Sequence, residues 1–337
     1  MINGHGDDLH LFNVDIEHNF SSNVYYKGCP PNLLKHLTEQ IESIQGYPSP
    51  AASELNVLAA KHFGLNENQF LFGNGATEIF YILAHLYTGK TATIIGPTFS
   101  EYEDACKMHQ IAVFHELWEH IETIEINTDL VFICNPNNPT GKIYPKKKIE
   151  QLLCEHPNTQ FVIDEAYIEF TTKETSVIDL FVNYKNLMIV KSLTKTFTIP
   201  GIRLGYIIAP PHIIKGMGQL KMPWSVNILA CKAGEFIFKH YNQIQFQASE
   251  LLLETETFKK EIDAINDLQV QKSYTSYFLV KLLKGTAGGL KNYLVHSHKI
   301  LVRDATNFVG LEGEYIRLAV QSKEANMALI KALKQWR

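Results

Sequence analysis

Lys191-Ser192-Leu193-Thr194-Lys195-Thr196-Phe197-Thr198-Ile199-Pro200-Gly201-Ile202-Arg203-Leu204-Gly205-Tyr206 is the stretch on which the fold turns. Apolar runs on either side, Leu187 to Val190 and Leu204 to Ala209, read as buried strands, so a short polar loop carries Lys195 and Arg203 between two pieces of sheet. A plain hairpin could carry a solvated lysine and arginine. Here the hydroxyls of Ser192, Thr194 and Thr196 crowd the lysine and apolar residues bracket the loop. Such surroundings suit a partly desolvated amine of low pKa, able to attack a carbonyl.

A chain of 337 residues exceeds what one hydrophobic core usually serves, so one large and one small domain are expected. The hydrophobic fraction of 45% and charged fraction of 20% are those of a globular protein. With a net charge of −4, and Lys146-Lys147-Lys148 the only basic cluster of note, nucleic acid and anionic membrane are not expected as partners. The five cysteines are scattered and odd in number, which favours reduced thiols. No apolar run approaches a membrane span, and the first thirty residues lack a signal pattern; a soluble, cytoplasmic protein is the expectation. Fourteen histidines raise the question of a metal, but no His-Glu-x-x-His occurs and no metal site is expected.

Taken in order, residues 1–30 form an irregular arm, rich in Gly, Asp and Asn. Helical spacing marks Pro31 to Ile44 and Ala51 to Phe63, and Gln69 to Phe72 reads as a strand. That strand feeds Gly73-Asn74-Gly75-Ala76-Thr77-Glu78 and an apolar helix, an arrangement that points free backbone N–H groups and a positive dipole end at an anion. Strands and helices then alternate: Thr91 to Ile95, Ser100 to His109, Ile111 to Phe114, Leu130 to Cys134, Lys147 to Cys154 and Phe161 to Ile163. Alternation of this kind implies crossovers and a mostly parallel sheet, with ligands at the carboxyl ends of its strands. Phe99, Asn138, Asp164 and Tyr167 fall at such ends. Beyond Asn227 a single long helix is expected to run to about Phe258, followed by strands at Tyr277 to Leu282, Ile300 to Arg303 and Tyr315 to Val320, with helices at Leu290 to His296 and Ser322 to Trp336. The fold class is therefore α/β, a large domain over 31–225 with a smaller α+β domain over 226–337.

Ser192-x-x-Lys195 followed by Arg203, Gly201-x-Arg203-x-Gly205-Tyr206, Asn135-Pro136-Asn137-Asn138-Pro139-Thr140-Gly141 and Asp164-Glu165-Ala166-Tyr167 together resemble the pyridoxal-phosphate (PLP) enzymes of aminotransferase fold type I. The resemblance implies a seven-stranded, mostly parallel large domain and a homodimer with shared sites. It also implies that Lys195 carries the cofactor. Asp164 would pair with the pyridine nitrogen, Asn138 and Tyr167 would contact the phenolic oxygen, and Phe99 would stack on the ring. Gly75, Ala76, Thr77, Ser192 and Arg203 would hold the phosphate, with Tyr47 reaching it from a second subunit.

Arg303 and Arg317 follow strand-like runs in the smaller domain. Surface ion pairing would account for them, but in this setting two guanidinium groups suit a substrate with a carboxylate and a phosphate. Over nearly the whole chain the match is most similar to the threonine-phosphate decarboxylases of cobalamin biosynthesis. It is carried by His5-Gly6, Ser192 to Lys195 with Ile199-Pro200-Gly201, and Met222-Pro223-Trp224-Ser225-Val226-Asn227. The resemblance would put His5, Gly6, Asn23 and Arg303 on substrate phosphate, and Asn138 and Arg317 on the carboxylate. Histidinol-phosphate aminotransferases are similar overall but typically have Leu-Ala-Gly where Ile199-Pro200-Gly201 stands. Two departures stand out: Asp7-Asp8 where the decarboxylases usually have Gly-Asn, and Ser276 where Asn commonly precedes the aromatic. A non-enzymatic, PLP-binding regulatory module would need an added DNA-binding domain, for which no helix-turn-helix pattern is present.

Overall fold

A computed structural model describes residues 6–121, 123–244 and 246–336 of the chain. Seven strands form the large sheet in the spatial order Phe70–Asn74, Leu204–Ile208, Leu187–Ser192, Gln160–Asp164, Leu130–Cys134, Thr91–Gly96 and Ala112–Leu117. Only Leu204–Ile208 runs against its neighbours, pairing antiparallel with both; the remaining pairings are parallel. Its central strands are buried along their length, and their alternating side chains supply two cores. Val131, Ile133, Ile163 and Ile189 enter one core, and Phe132, Cys134, Val162 and Val190 enter the other. A sheet covered on both faces reads as continuous hydrophobic runs. This is why these strands were visible in the sequence.

The smaller lobe is a four-stranded antiparallel sheet ordered Arg303–Asp304, Tyr315–Ala319, Tyr277–Leu282 and Leu268–Val270. Helices Ala248–Asp263, Ala287–His298 and Lys323–Gln335 supply its separate core. The arm joins this lobe. His18–Asn19 pairs in parallel with Ile300–Leu301, and Phe20 is fully buried in the lobe's core.

Several expectations need correction. The helix expected from Asn227 to Phe258 is interrupted twice, by non-helical backbone at His240 (φ −125°, ψ 18°) and between Ile228–Ile244 and Ala248–Asp263. Phe246 lies between them with its ring 4.5 Å from Tyr25 and 4.8 Å from Phe170, and this contact draws the chain out of the helix. The first of the pair was expected in the smaller domain, yet Ala230, Ala233 and Ile237 are buried in the core of the large sheet. Gly234 allows the approach, since a Cβ there would meet Leu55 Cδ2 at 2.8 Å. Pro31 to Ile44 is an α-helix only over Pro31–Glu39, continuing as a 3₁₀ turn at Ile41–Gln45. The strand expected at Ile111 to Phe114 is Ala112–Leu117, an edge strand with half-exposed side chains and hence a weak hydrophobic signal.

Candidate active site

The parallel strands end on one side, and the site lies there. Asp164 is the last residue of Gln160–Asp164 and Ser192 the last of Leu187–Ser192, while Phe99 and Asn138 follow the ends of Thr91–Gly96 and Leu130–Cys134. Lys195 sits in a single helical turn, Leu193–Thr196, directly after its strand. A cavity of about 280 Å³ brings together Gly75, Ala76, Thr77, Phe99, Asn138, Asp164, Tyr167, Ser192, Lys195 and Arg203. Every residue expected around the cofactor is there except Tyr47. Tyr47 is 88% exposed and packs on Trp224, ring centroids 5.6 Å apart.

Burial pushes the Lys195 amine down to about 8, helped by the positive charges of Arg317 and Arg203. Burial pushes the Asp164 carboxyl up to about 6, opposed by hydrogen bonds from Tyr102 Oη at 2.5 Å and from the Ala166 N–H at 2.9 Å. Tyr167 is raised by burial, with Arg317 opposing. Ser192 Oγ and Thr194 Oγ1 are 2.7 Å apart. Gly75 has φ +77° and opens the helix Gly75–Leu86; a Cβ on it would stand 2.6 Å from Arg203 Nη2. The guanidinium therefore lies against the positive end of a helix, and only glycine leaves it room.

The substrate-binding expectations divide. Arg317 donates from Nη1 to Asn138 Oδ1 at 2.5 Å and from Nη2 to the Ser21 carbonyl at 2.5 Å. Asn23 Nδ2 lies 3.5 Å from both Asn138 Oδ1 and Tyr167 Oη. Gly6 packs against the same arginine, where a Cβ would be 3.1 Å from Nη2. Arg303 lies in an adjoining recess that shares Phe99 with the main cavity, donating to the Asp304 carbonyl and, at 2.7 Å, to Asn307 Oδ1. The two arginines are cross-strand partners and both are buried. Burial first, then the charge of Arg317, pushes Arg303 down to about 10. His5 lies outside the described residues. Asp7 and Asp8 are both engaged: Asp7 Oδ1 accepts from Asn19 Nδ2 at 2.6 Å, and Asp8 pairs with Lys291.

Sequence reasoning missed Tyr102, which is fully buried against Asp164. The available signal was its place three residues after Phe99 at the start of the helix Glu101–Met108. Asn137 was also missed as an organiser. Its Nδ2 donates to the Pro97 carbonyl and to Thr140 Oγ1, both at 2.8 Å, fixing the loop that presents Asn138. Lys191, next to Ser192 in the strand, is buried between Glu165 and Glu169 at 3.1 and 3.2 Å.

This fold and this lysine-centred cavity define a class of enzyme, and residues 16–333 match the family model for aminotransferase class I and II; the chain belongs to that family. Among solved structures it is similar to L-threonine-O-3-phosphate decarboxylase from Porphyromonas gingivalis, with 37% identity and a TM-score of 0.91 over 94% of this chain and 98% of that one. It is 29% identical to threonine-phosphate decarboxylase of Salmonella typhimurium over 94% of this chain and 90% of the relative. The histidinol-phosphate aminotransferase from Clostridium acetobutylicum shares 29% identity, with a TM-score of 0.84 over 94% and 98% of the two chains. The protein is an enzyme, and its cofactor is pyridoxal 5'-phosphate.

The residues present fit that group. The cavity holds a buried amine, a buried carboxylate, and an arginine packed on a glycine at a helix N-terminus, which suit an aldehyde, a ring nitrogen and a phosphate respectively. No described helix is long and apolar enough to cross a membrane.

Proposed function

We propose that the enzyme decarboxylates L-threonine O-3-phosphate to (R)-1-aminopropan-2-yl phosphate, a step of cobalamin biosynthesis carried out in the cytoplasm. The observation that carries this reading is the cross-strand pair Arg303 and Arg317, two buried guanidinium groups beside the cofactor cavity. Adjacent buried like charges cost stability, and a ligand bearing two anions offsets that cost on binding. Higher identity to the Porphyromonas gingivalis decarboxylase than to the Clostridium acetobutylicum aminotransferase supports the same choice.

The proposal assigns the following roles. The N-terminus of Gly75–Leu86 with Ala76, Thr77, Ser192 and Arg203 would hold the cofactor phosphate. Phe99, on the cavity wall, would stack on the ring. Asp164, kept in place by Tyr102 and the Ala166 amide, would pair with the ring nitrogen, and Asn138 and Tyr167 would contact the phenolic oxygen. When bound, PLP supplies a ring that accepts the electron pair left behind as the carboxylate departs. Arg317 and Asn138 orient the carboxylate, while Arg303, Asn23, Gly6 and His5 hold the substrate phosphate. Lys195, whose amine burial pushes down to about 8, would hold the cofactor's aldehyde through its Nζ, and the same amine would be placed to carry a proton to the substrate carbon. Exposed Tyr47, beside Trp224, would reach the phosphate of a second subunit in a homodimer.

Purified holoenzyme given phosphothreonine should release carbon dioxide and form no keto acid. Transfer of the amino group of histidinol phosphate to 2-oxoglutarate, with no carbon dioxide from phosphothreonine, would establish the aminotransferase reading instead.

A further inference from the structure

The arm is held in two different ways. Residues 17–20 are stitched to the smaller lobe by backbone: Glu17 N–H to the Lys299 carbonyl at 2.9 Å, Phe20 N–H to the Leu301 carbonyl at 2.8 Å, and Ala319 N–H to the Phe20 carbonyl at 3.1 Å. The turn before them lacks such pairing, and its Leu9 and Leu11 are 42% and 66% exposed, so burial anchors it weakly. It is joined to the lobe by charge. Asp8 Oδ2 lies 2.5 Å from Lys291 Nζ on the helix Ala287–His298, with the two side chains only 14% and 12% exposed. The same ammonium stands 5.2 Å from the centre of the Phe12 ring. Asp8 Oδ1 is buried and has no hydrogen-bond partner.

Two residues before Asp8, the arm meets the substrate end. A Cβ on Gly6 would lie 2.5 Å from the Ser21 carbonyl oxygen and 3.1 Å from Arg317 Nη2, so the arm's backbone rests on that guanidinium. Asp7 N–H donates to Ser21 Oγ at 2.9 Å, and the Ser21 carbonyl in turn accepts from Arg317. Where Asp8 is fixed, Gly6 is fixed with it. Covering an arginine excludes water and strengthens its attraction for an anion.

We propose that Asp8 and Lys291 form a charged latch that positions the arm over Arg317 and thereby sets how tightly the substrate's anionic ends are held. Both are positioning residues, since neither lines the cofactor cavity. The proposal rests on the reading that Arg303 and Arg317 take the two anions. It gives the Asp7-Asp8 departure a function. The second acid, whose charge also acts on Arg303, is paired with Lys291 and ties the arm down.

The test compares wild-type holoenzyme with Asp8→Asn, Lys291→Met and the charge exchange Asp8→Lys/Lys291→Asp. Two readouts apply: hydrogen exchange of residues 6–21 without substrate, and steady-state kinetics with phosphothreonine. Each single variant should speed exchange in 6–16 while leaving 17–20 protected, and should raise KM about tenfold with kcat within about twofold. The exchanged pair should regain most of both losses. Unchanged exchange in the single variants, or an exchanged pair that sums the two losses, overturns the latch. If exchange responds as stated but the wild type releases no carbon dioxide from phosphothreonine, the latch stands and the substrate assignment fails.

Discussion

The two ends of the site handle buried charge in opposite ways. At the cofactor end the buried Asp164 and the neighbouring Lys191 have complements within the chain: Asp164 accepts from Tyr102 and Ala166, and Lys191 sits between Glu165 and Glu169. At the substrate end, Arg303 and Arg317 are register partners on adjacent strands, and the described hydrogen bonds of Arg317 go to neutral oxygens, with its Nε unpartnered. A set with its complements is rigid before any ligand arrives. The two buried like charges, offset in part by Asp304 and Asp8 acting on Arg303, are instead disposed to receive anions, and the first lobe to respond to substrate should be the smaller one.

The comparison is broken most severely at the lysine. Lys195→Ala should lower kcat by at least about 10⁴-fold, because one group both binds the cofactor's carbonyl carbon and moves a proton. Borohydride treatment of the wild type should leave pyridoxyl on Lys195 in a peptide map, and label on any other lysine removes the assignment.

Next in size is the substrate end. Losing a buried charge-assisted pair costs on the order of 2–5 kcal/mol, so Arg317→Met should lower kcat/KM for phosphothreonine by roughly 30- to 5,000-fold. Phosphothreonine should raise the Tm of wild-type holoenzyme and leave that of Arg317→Met nearly unchanged, as linkage requires when a ligand binds only the folded state. Equal shifts in both proteins would mean that the anions bind elsewhere.

Asp164 gives a pH signature. Its folded carboxyl is raised from the ordinary 3.8 to about 6, so between those values the folded apoprotein keeps a proton that the unfolded chain gives up. Stability therefore falls as pH rises through this window and is level above it. In urea titrations, Asp164→Asn should gain on wild type by up to about 3 kcal/mol between pH 4 and pH 6. Added cofactor should flatten that difference, because a pyridinium beside the carboxylate favours its ionised form. A difference independent of pH in the apoprotein would contradict the buried-carboxylate account.

The smallest effect concerns Tyr47. Mixing inactive Lys195→Ala chains with weakened Tyr47→Phe chains should raise the activity per intact Lys195 site if each site borrows Tyr47 from a partner, because that site then receives the wild-type Tyr47 of the Lys195→Ala chain. Proven mixed dimers with no such rise would withdraw it.

These contrasts also account for what the sequence revealed. The cofactor end is written in contiguous words, Ser192 to Arg203 and Asn135 to Gly141, because a strand followed directly by its loop places those groups with little help from elsewhere. Tyr102 escaped because its partner lies 62 residues away across parallel strands. The opposition of Arg303 and Arg317 depends on antiparallel register, and the pairing of Asp8 with Lys291 on how the arm crosses the lobe; neither leaves a local pattern. The break between Ile244 and Ala248 lacks Gly or Pro, since aromatic packing of Phe246 makes it.

The central claim is that the substrate end is built for two anions, and the selectivity for phosphothreonine over threonine in Arg303→Met tests it most directly. The account predicts that kcat/KM for phosphothreonine falls by roughly 30- to 5,000-fold while that for threonine barely changes, so that the selectivity collapses by the same factor. A variant that loses activity equally on both substrates would contradict it.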